Sequence, residues 1–197
     1  MSEKIEIYDS TLRDGAQAEG ISYSLEDKLL VARRLDTLGV HYIEGGWPNP
    51  TNPKDLAFFE KVKSLDLNAK ITAFGSTRRA GHAPEDDATL NTLLNADTES
   101  IALFGKTWTL HVLEVLRTTL DENLKLIEDS VAYLVANGRE VVYDAEHFFD
   151  GYKSDASYAI ETLRAAERGG ARILVLCDTN GGTLTSEMGR ILKDVMG

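Results

Sequence analysis

The chain has 197 residues, 43% of them hydrophobic, and a formal net charge of −11. That length fits one domain with a sizeable core, and the acidic balance excludes nucleic acid and anionic membranes as main partners, since both attract clustered Lys and Arg. A single cysteine, Cys177, leaves no internal disulfide and no zinc ribbon.

The apolar pattern then alternates between short β-rich runs and longer helical ones. The first run, Ile5–Tyr8, gives way to STLRDG; its opening, MSEKIEIY, lacks the basic-then-apolar pattern of a signal peptide. Leu25, Leu29, Ala32, Leu35 and Leu38 then form one helical face, with Ser24 and Asp27 as a capping pair and Gly39 as the stop. A second strand is expected at Val40–Glu44, a third at Lys70–Phe74 and a fourth at Ser100–Phe104. Leu124, Ile127, Val131, Leu134 and Val135 predict a helix entered at Asp121 and ended at Gly138. A fifth strand, Val141–Asp144, precedes a helix over Tyr158–Arg168 closed by Gly169 and Gly170. The sixth strand, Arg172–Cys177, precedes a helix from about Thr185 through Val195. Even the longest apolar runs are far too short to span a bilayer, so a soluble, cytoplasmic protein is expected.

Six strand–helix units imply parallel pairing and an α/β fold, either an open doubly wound sheet or a (β/α)8 TIM barrel. Nearly every strand hands over to polar residues, in STLRDG, EGGWP, GSTRRAG, GKTW, DAEHFFDG and DTNGG. A barrel collects all such ends on one face, whereas an open sheet concentrates them at one switch point. The barrel is therefore favoured, with about six of its eight units present, and a complete one takes about 250 residues.

Among the motifs, FGKT at 104–107 fails as a phosphate loop, because position 100 is serine where that loop needs glycine. There is no G-x-G-x-x-G after a strand and no G-x-S-x-G elbow. Cys177, inside an apolar run, reads as a buried core thiol. The histidines make neither His-x-His nor H-E-x-x-H. His41 falls at the face opposite the chemistry and His82 in a loop, while His111 and His147 follow strand ends and are possible site residues. Asp14, Glu44, Asp144, Glu146 and Asp178 should converge on one mouth, where mutual repulsion would favour a divalent cation or protonated forms. Glu44 and Asp144 are better read as barrel salt-bridge partners of Arg13, Arg78 or Lys106.

DSTLRDGAQ resembles the first-strand signature of the metal-dependent acyl-CoA condensing and cleaving barrels, which include isopropylmalate, homocitrate and citramalate synthases and the hydroxymethylglutaryl-CoA lyases. YIEGGWP, NPKDLAFF, AFGSTRR, FGKTW with His111, DAEHFFDGYK and LCDTNGGT continue the resemblance along the whole chain, closest to the citramalate-synthase-like branch. Asn49-Pro50-Thr51 departs from the shorter glycine-containing link usual there. The resemblance implies an acyltransferase in isoleucine or leucine biosynthesis, in which an enolate from acetyl-CoA attacks a 2-oxo acid, pyruvate being favoured, on a divalent metal, and the thioester is hydrolysed.

On that resemblance Asp14 is a ligand for Mg²⁺, Mn²⁺ or Zn²⁺. Arg13 binds the substrate carbonyl and stabilises it as it becomes an alkoxide. Gln17 positions substrate or a metal-bound water, Glu146 orients water or moves a proton, and Thr179 bonds the substrate carboxylate. Arg78 is a further possible site residue. The family's other metal ligands, a His-x-His pair on strand seven, are absent from residues 1–197, which thus read as the N-terminal part of the catalytic domain with little or no activity alone. Strands seven and eight and any C-terminal regulatory region are missing from this stretch, and the full-length enzyme is expected to be a homodimer. Isopropylmalate or homocitrate synthesis and a lyase of the same superfamily stand as alternatives. A naturally short, non-catalytic pairing partner and a fragment of a longer protein are the others.

Overall fold

The computed structural model describes residues 5–197; Met1–Lys4, part of the stretch read for a leader, lie outside them. Six strands form one all-parallel sheet in sequential order: β1 Tyr8–Asp9, β2 Tyr42–Gly46, β3 Lys70–Ser76, β4 Ser100–Lys106, β5 Glu140–Glu146 and β6 Ile173–Leu176. The helices are α1 Leu25–Leu38, α2 Pro53–Val62, α3 Ala88–Asn95, α4 Leu120–Ala136, α5 Phe148–Ser154, α6 Ala156–Gly169 and α7 Thr185–Met196. Sequential parallel order with intervening helices is the winding of a TIM barrel, and the six strands form a curled half of one. Among the described residues no helix is long and apolar enough to cross a membrane.

Local chemistry explains the boundaries. Ser24 caps α1 by accepting the Asp27 backbone N–H, and the Asp27 carboxylate returns to the Ser24 backbone. Gly39 ends that helix with φ +89°, a conformation few other residues adopt cheaply. Thr119 caps α4 and Asp155 caps α6, while Gly170 closes α6. The strand expected at Ile5–Tyr8 is ordered as a ladder only over Tyr8–Asp9, with Ile5 84% exposed at an edge that pairs with nothing. In the other direction β3, β4 and β5 run two residues further than the apolar pattern indicates, which brings Lys106 and Glu146 into the sheet. Leu38, expected on the buried face of α1, is exposed at the helix end.

Side-chain alternation divides the sheet into two apolar faces. The outer face, carrying Ile43, Ala73, Ile101, Leu103, Val141 and Tyr143, packs under the helices as the main core. The inner face carries Tyr8, Trp47, Phe74, Ala102, Phe104, Val142, Ile173 and Val175. Register stacks that inner face in layers. Phe74, Ala102, Val142 and Ile173 lie side by side; Phe104, Asp144 and Val175 form the next layer; Lys106 and Glu146 follow at the C-terminal rim. The opposite rim is tied by ions: Glu140 accepts from Tyr42 at 2.7 Å, Lys70 at 2.9 Å and Arg172 at 3.1 Å, joining β2, β3 and β5 to the residue before β6. His41, also at that rim, accepts the Ile7 backbone N–H through Nδ1 at 3.0 Å.

Candidate active site

The C-terminal rim surrounds a cavity of about 670 Å³ whose lining includes Arg13, Asp14, Gln17, Glu146 and Thr179. The structure therefore brings together at one opening the five residues to which the resemblance assigns metal, substrate and proton-transfer roles. It does so from three directions: the loop after β1, the last residue of β5, and the loop after β6.

Arg13 is the most firmly held of them. Its Nε donates to Glu44, its guanidinium lies 3.8 Å from the centroid of the Phe74 ring, and its Nη1 donates to Asp14 at 3.0 Å. Glu44 is 2% exposed and also accepts from the Tyr8 hydroxyl. Burial pushes the Glu44 carboxyl up, against the pull of Arg13 and Tyr8, and pushes the Tyr8 hydroxyl up as well. The barrel-salt-bridge reading of Glu44 thus describes its contact with Arg13, and the contact fixes a cavity residue. Backbone bonds from Arg13, Asp14 and Gly15 all return to the Ser10 carbonyl, which makes RDG a tight turn at the end of β1. The Arg–Asp–Gly sequence serves turn and site together.

Asp144 lies one layer below the rim and accepts from Cys177 Sγ at 2.8 Å. Burial pushes both groups up, Asp144 further assisted by neighbouring Glu146 and Asp14, and Cys177 by Asp144. Cys177, read from its apolar neighbours as a core thiol, continues the inner face of Ile173 and Val175, so its thiol lines the cavity. A raised thiol is a poor nucleophile, so it serves as a hydrogen-bond donor. Glu146 pairs with Lys106 Nζ, and its backbone carbonyl accepts from Thr107 Oγ1 at 2.6 Å.

Of the remaining candidates Asp178 also lines the cavity, whereas His111, His147 and Arg78 fall outside its lining. Thr179 Oγ1 accepts the His147 backbone N–H at 2.9 Å, and His147 Nδ1 lies 3.1 Å from Asp150, so His147 braces a lining residue. His147 holds φ +55° at the start of α5. His111 packs against it edge-on, ring centroids 4.6 Å apart, in a π-helical turn over His111–Leu116. Burial, with His147 adding, holds the His111 imidazole below its usual pKa. Arg78 turns outward once β3 has ended: its guanidinium meets Asp129 at 2.6 Å and the His82 carbonyl at 3.0 Å, and its backbone N–H reaches Ser130.

Among the described residues no group of three or more His, Cys, Asp or Glu side chains is gathered as a metal ion requires. Asp14, with its side chain 62% exposed, supplies one hard oxygen donor, and Glu44 and Asp144 are already engaged. The residues present do not make up a metal centre. The aromatic side of the cavity was not foreseen. Trp47 meets Phe74 and Phe104 edge-on at 5.9 and 5.7 Å, and those two rings stack at 5.3 Å.

A half-barrel with its charged residues gathered at the C-terminal ends of the strands is the active-site face of a TIM-barrel protein. The HMGL-like family pattern matches residues 4–197, and the chain belongs to that family. It is 55% identical over 196 residues to the (R)-citramalate synthase of Aquifex aeolicus, covering 99% of this chain and 37% of that protein. It is 56% identical over 192 residues to the (R)-citramalate synthase of Geobacter sulfurreducens, covering 97% and 36%. Among solved structures, the HMG-CoA lyase of Bacillus subtilis superposes with a TM-score of 0.79 at 16% identity, over 98% of this chain and 64% of that one; such a likeness shows the fold. The chain spans little more than a third of the length of the curated relatives it matches.

Proposed function

We propose that this half-barrel carries the 2-oxo-acid side of an acyltransferase that condenses acetyl-CoA with pyruvate to give citramalate, in cytoplasmic branched-chain amino-acid biosynthesis. The observation that carries the reading is the Arg13 guanidinium, fixed by Glu44 and Phe74 at the cavity edge and adjoining Asp14. Relatives at more than half identity named (R)-citramalate synthase support it over isopropylmalate or homocitrate synthesis.

In this account the enolate carbon of acetyl-CoA forms a bond to the carbonyl carbon of the 2-oxo acid, and the carbonyl π electrons move onto oxygen. Arg13 cannot lose its proton near neutral pH, so it meets that developing charge with a permanent positive one. Thr179 and Gln17 bind the carboxylate end, and Glu146 moves a proton or orients the water that cleaves the thioester. Asp14 would supply one oxygen donor to a divalent ion, which would polarise the substrate carbonyl; the other donors are not among the described residues. With one such donor, the 197-residue chain by itself has little or no turnover, and the working enzyme is a homodimer.

The test is to supply the full-length enzyme with acetyl-CoA, pyruvate and Mn²⁺ and to follow free thiol and product together. Pyruvate-dependent release of CoA with citramalate formed in equal amount supports the reading. Absence of both, or cleavage of an acyl-CoA without a 2-oxo acid as acceptor, overturns it.

A further inference from the structure

Building on that reading, we infer that Trp47 sets the size limit for the 2-oxo acid's side chain, and that the GGWP…NPKD stretch exists to hold it rigid. The cavity is divided by polarity. Arg13, Asp14, Gln17 and Thr179 take the carbonyl and carboxylate, so the substituent on the carbonyl carbon turns toward the apolar side. That side has a floor of Ala102 and Val142, and a wall made by Trp47 edge-on to Phe74 and Phe104. The Arg13 guanidinium lies 3.8 Å from the Phe74 centroid, so the wall begins where the reacting carbonyl is held. A substituent on the carbonyl carbon therefore faces the Trp47 indole, and the longer or more branched it is, the sooner it meets that ring.

A wall discriminates only if it cannot yield. The Trp47 backbone N–H donates to Asp55 Oδ2 at 2.9 Å, and the Asn52 amide donates to the same oxygen at 2.9 Å. The other oxygen of Asp55 pairs with Lys28 of α1, whose side chain is 3% exposed. Gly46, at φ +142°, faces the Asp55 carboxylate so closely that any Cβ would collide with it. Pro48 follows, buried. These contacts clamp the link between β2 and α2 from both ends, and account for both glycines of the motif: Gly45 likewise lies against Phe58.

The experiment compares kcat/KM for pyruvate and 3-methyl-2-oxobutanoate in the full-length enzyme and its Trp47→Ala and Trp47→Phe variants, with KM for acetyl-CoA as the internal reference. One or two methylenes in a tight apolar pocket change specificity by about 10- to 200-fold. Trp47→Ala is expected to shrink the preference for pyruvate at least ~10-fold, and the smaller aromatic in Trp47→Phe about threefold, with KM for acetyl-CoA unmoved. Trp47→Phe keeps an aromatic plate at the site, so it tests the inference even if the alanine variant does not fold. A preference within about twofold of the parent's in folded Trp47→Phe overturns the role of Trp47 while leaving the condensation intact. A parent enzyme that consumes neither 2-oxo acid overturns the functional reading on which the inference rests.

Discussion

Arg13 and Glu44 are 31 residues apart in the chain and share a hydrogen-bonded ion pair at the cavity edge, the arginine 16% and the glutamate 3% exposed at their side chains. Glu44 comes from β2 and Arg13 from the turn after β1, so the pair joins the first two strands at the rim where the chemistry is placed. Removing one member of a buried pair leaves the other charge uncompensated, which typically costs about 3 kcal/mol or more. Glu44→Gln leaves Arg13 the exposed Asp14 carboxylate as countercharge and removes a desolvated charge, so the loss in urea titration is expected to stay at about 1 to 2 kcal/mol, below that full cost. No measurable loss would mean that Asp14 and water, not Glu44, balance Arg13.

The pH dependence of stability should carry two opposite signs. Burial raises Asp144, so its folded form favours the proton: its stabilising contribution is complete below the ordinary carboxylate range and is lost as pH rises through the raised value. Glu140 is desolvated too, but Lys70, Tyr42 and Arg172 prevail and lower it; its contribution is present above the ordinary range and lost as pH falls. Asp144→Asn should thus stabilise at pH 7.5 and make no difference near pH 3, while Glu140→Gln should destabilise at pH 7.5 and converge with the parent near pH 3. Denaturant midpoints across that range check both. Two variants shifting in the same direction would contradict the assignment.

The Lys28–Asp55 pair is the most enclosed ion pair in the β2–α2 region, and Asp55 additionally accepts the Trp47 N–H. Lys28→Met is expected to destabilise by about 3 kcal/mol, since Asp55 would remain buried without a countercharge. Gly46→Ala should cost at least about 2 kcal/mol, because φ +142° and the Asp55 carboxylate both oppose a Cβ. Thermal melts of the two variants at neutral pH measure this, and near-parental melting of either would show that the link re-forms another way.

Among the described residues no strand pairs with the outer edge of β6, where Leu174 is 37% exposed beside a groove of about 490 Å³ lined by Leu176, Met188, Leu192 and Met196. Flat apolar edges template pairing with other chains. The isolated 197-residue chain should self-associate in sedimentation velocity at micromolar concentrations, and Leu174→Lys should reduce that association. A parent sedimenting as a monomer throughout would contradict this.

Strand–helix alternation made the six units legible in the sequence, because nearly every strand end carried polar residues and α1, α4 and α6 ended at recognisable capping residues or glycines. Strand ends alone offered Glu44, Asp144 and Asp178 equally; Arg13, Asp14, Gln17, Glu146 and Thr179 were singled out by the resemblance of DSTLRDGAQ, DAEHFFDGYK and LCDTNGGT to the acyl-CoA condensing barrels. What the pattern could not convey depended on distant contacts. Trp47 gains its place from Phe74 and Phe104, 27 and 57 positions away, and from Asp55 through a buried lysine on another helix. Cys177 reads as core because its neighbours are apolar, yet it shares the inner, cavity-facing side of β6 with Ile173 and Val175. Arg78 follows a strand too, but the chain leaves the sheet at Ser76 and its charge is taken up by α4.

Arg13 is proposed to meet charge that develops on the substrate oxygen, and kcat of the Arg13→Lys full-length enzyme tests that most directly. Lysine keeps the charge but loses the planar fork held by Glu44 and Phe74, so kcat should fall about 100- to 1,000-fold with KM for pyruvate changing far less. A fall of less than about tenfold, or an equal change confined to KM, would place Arg13 in ground-state binding and contradict its proposed role.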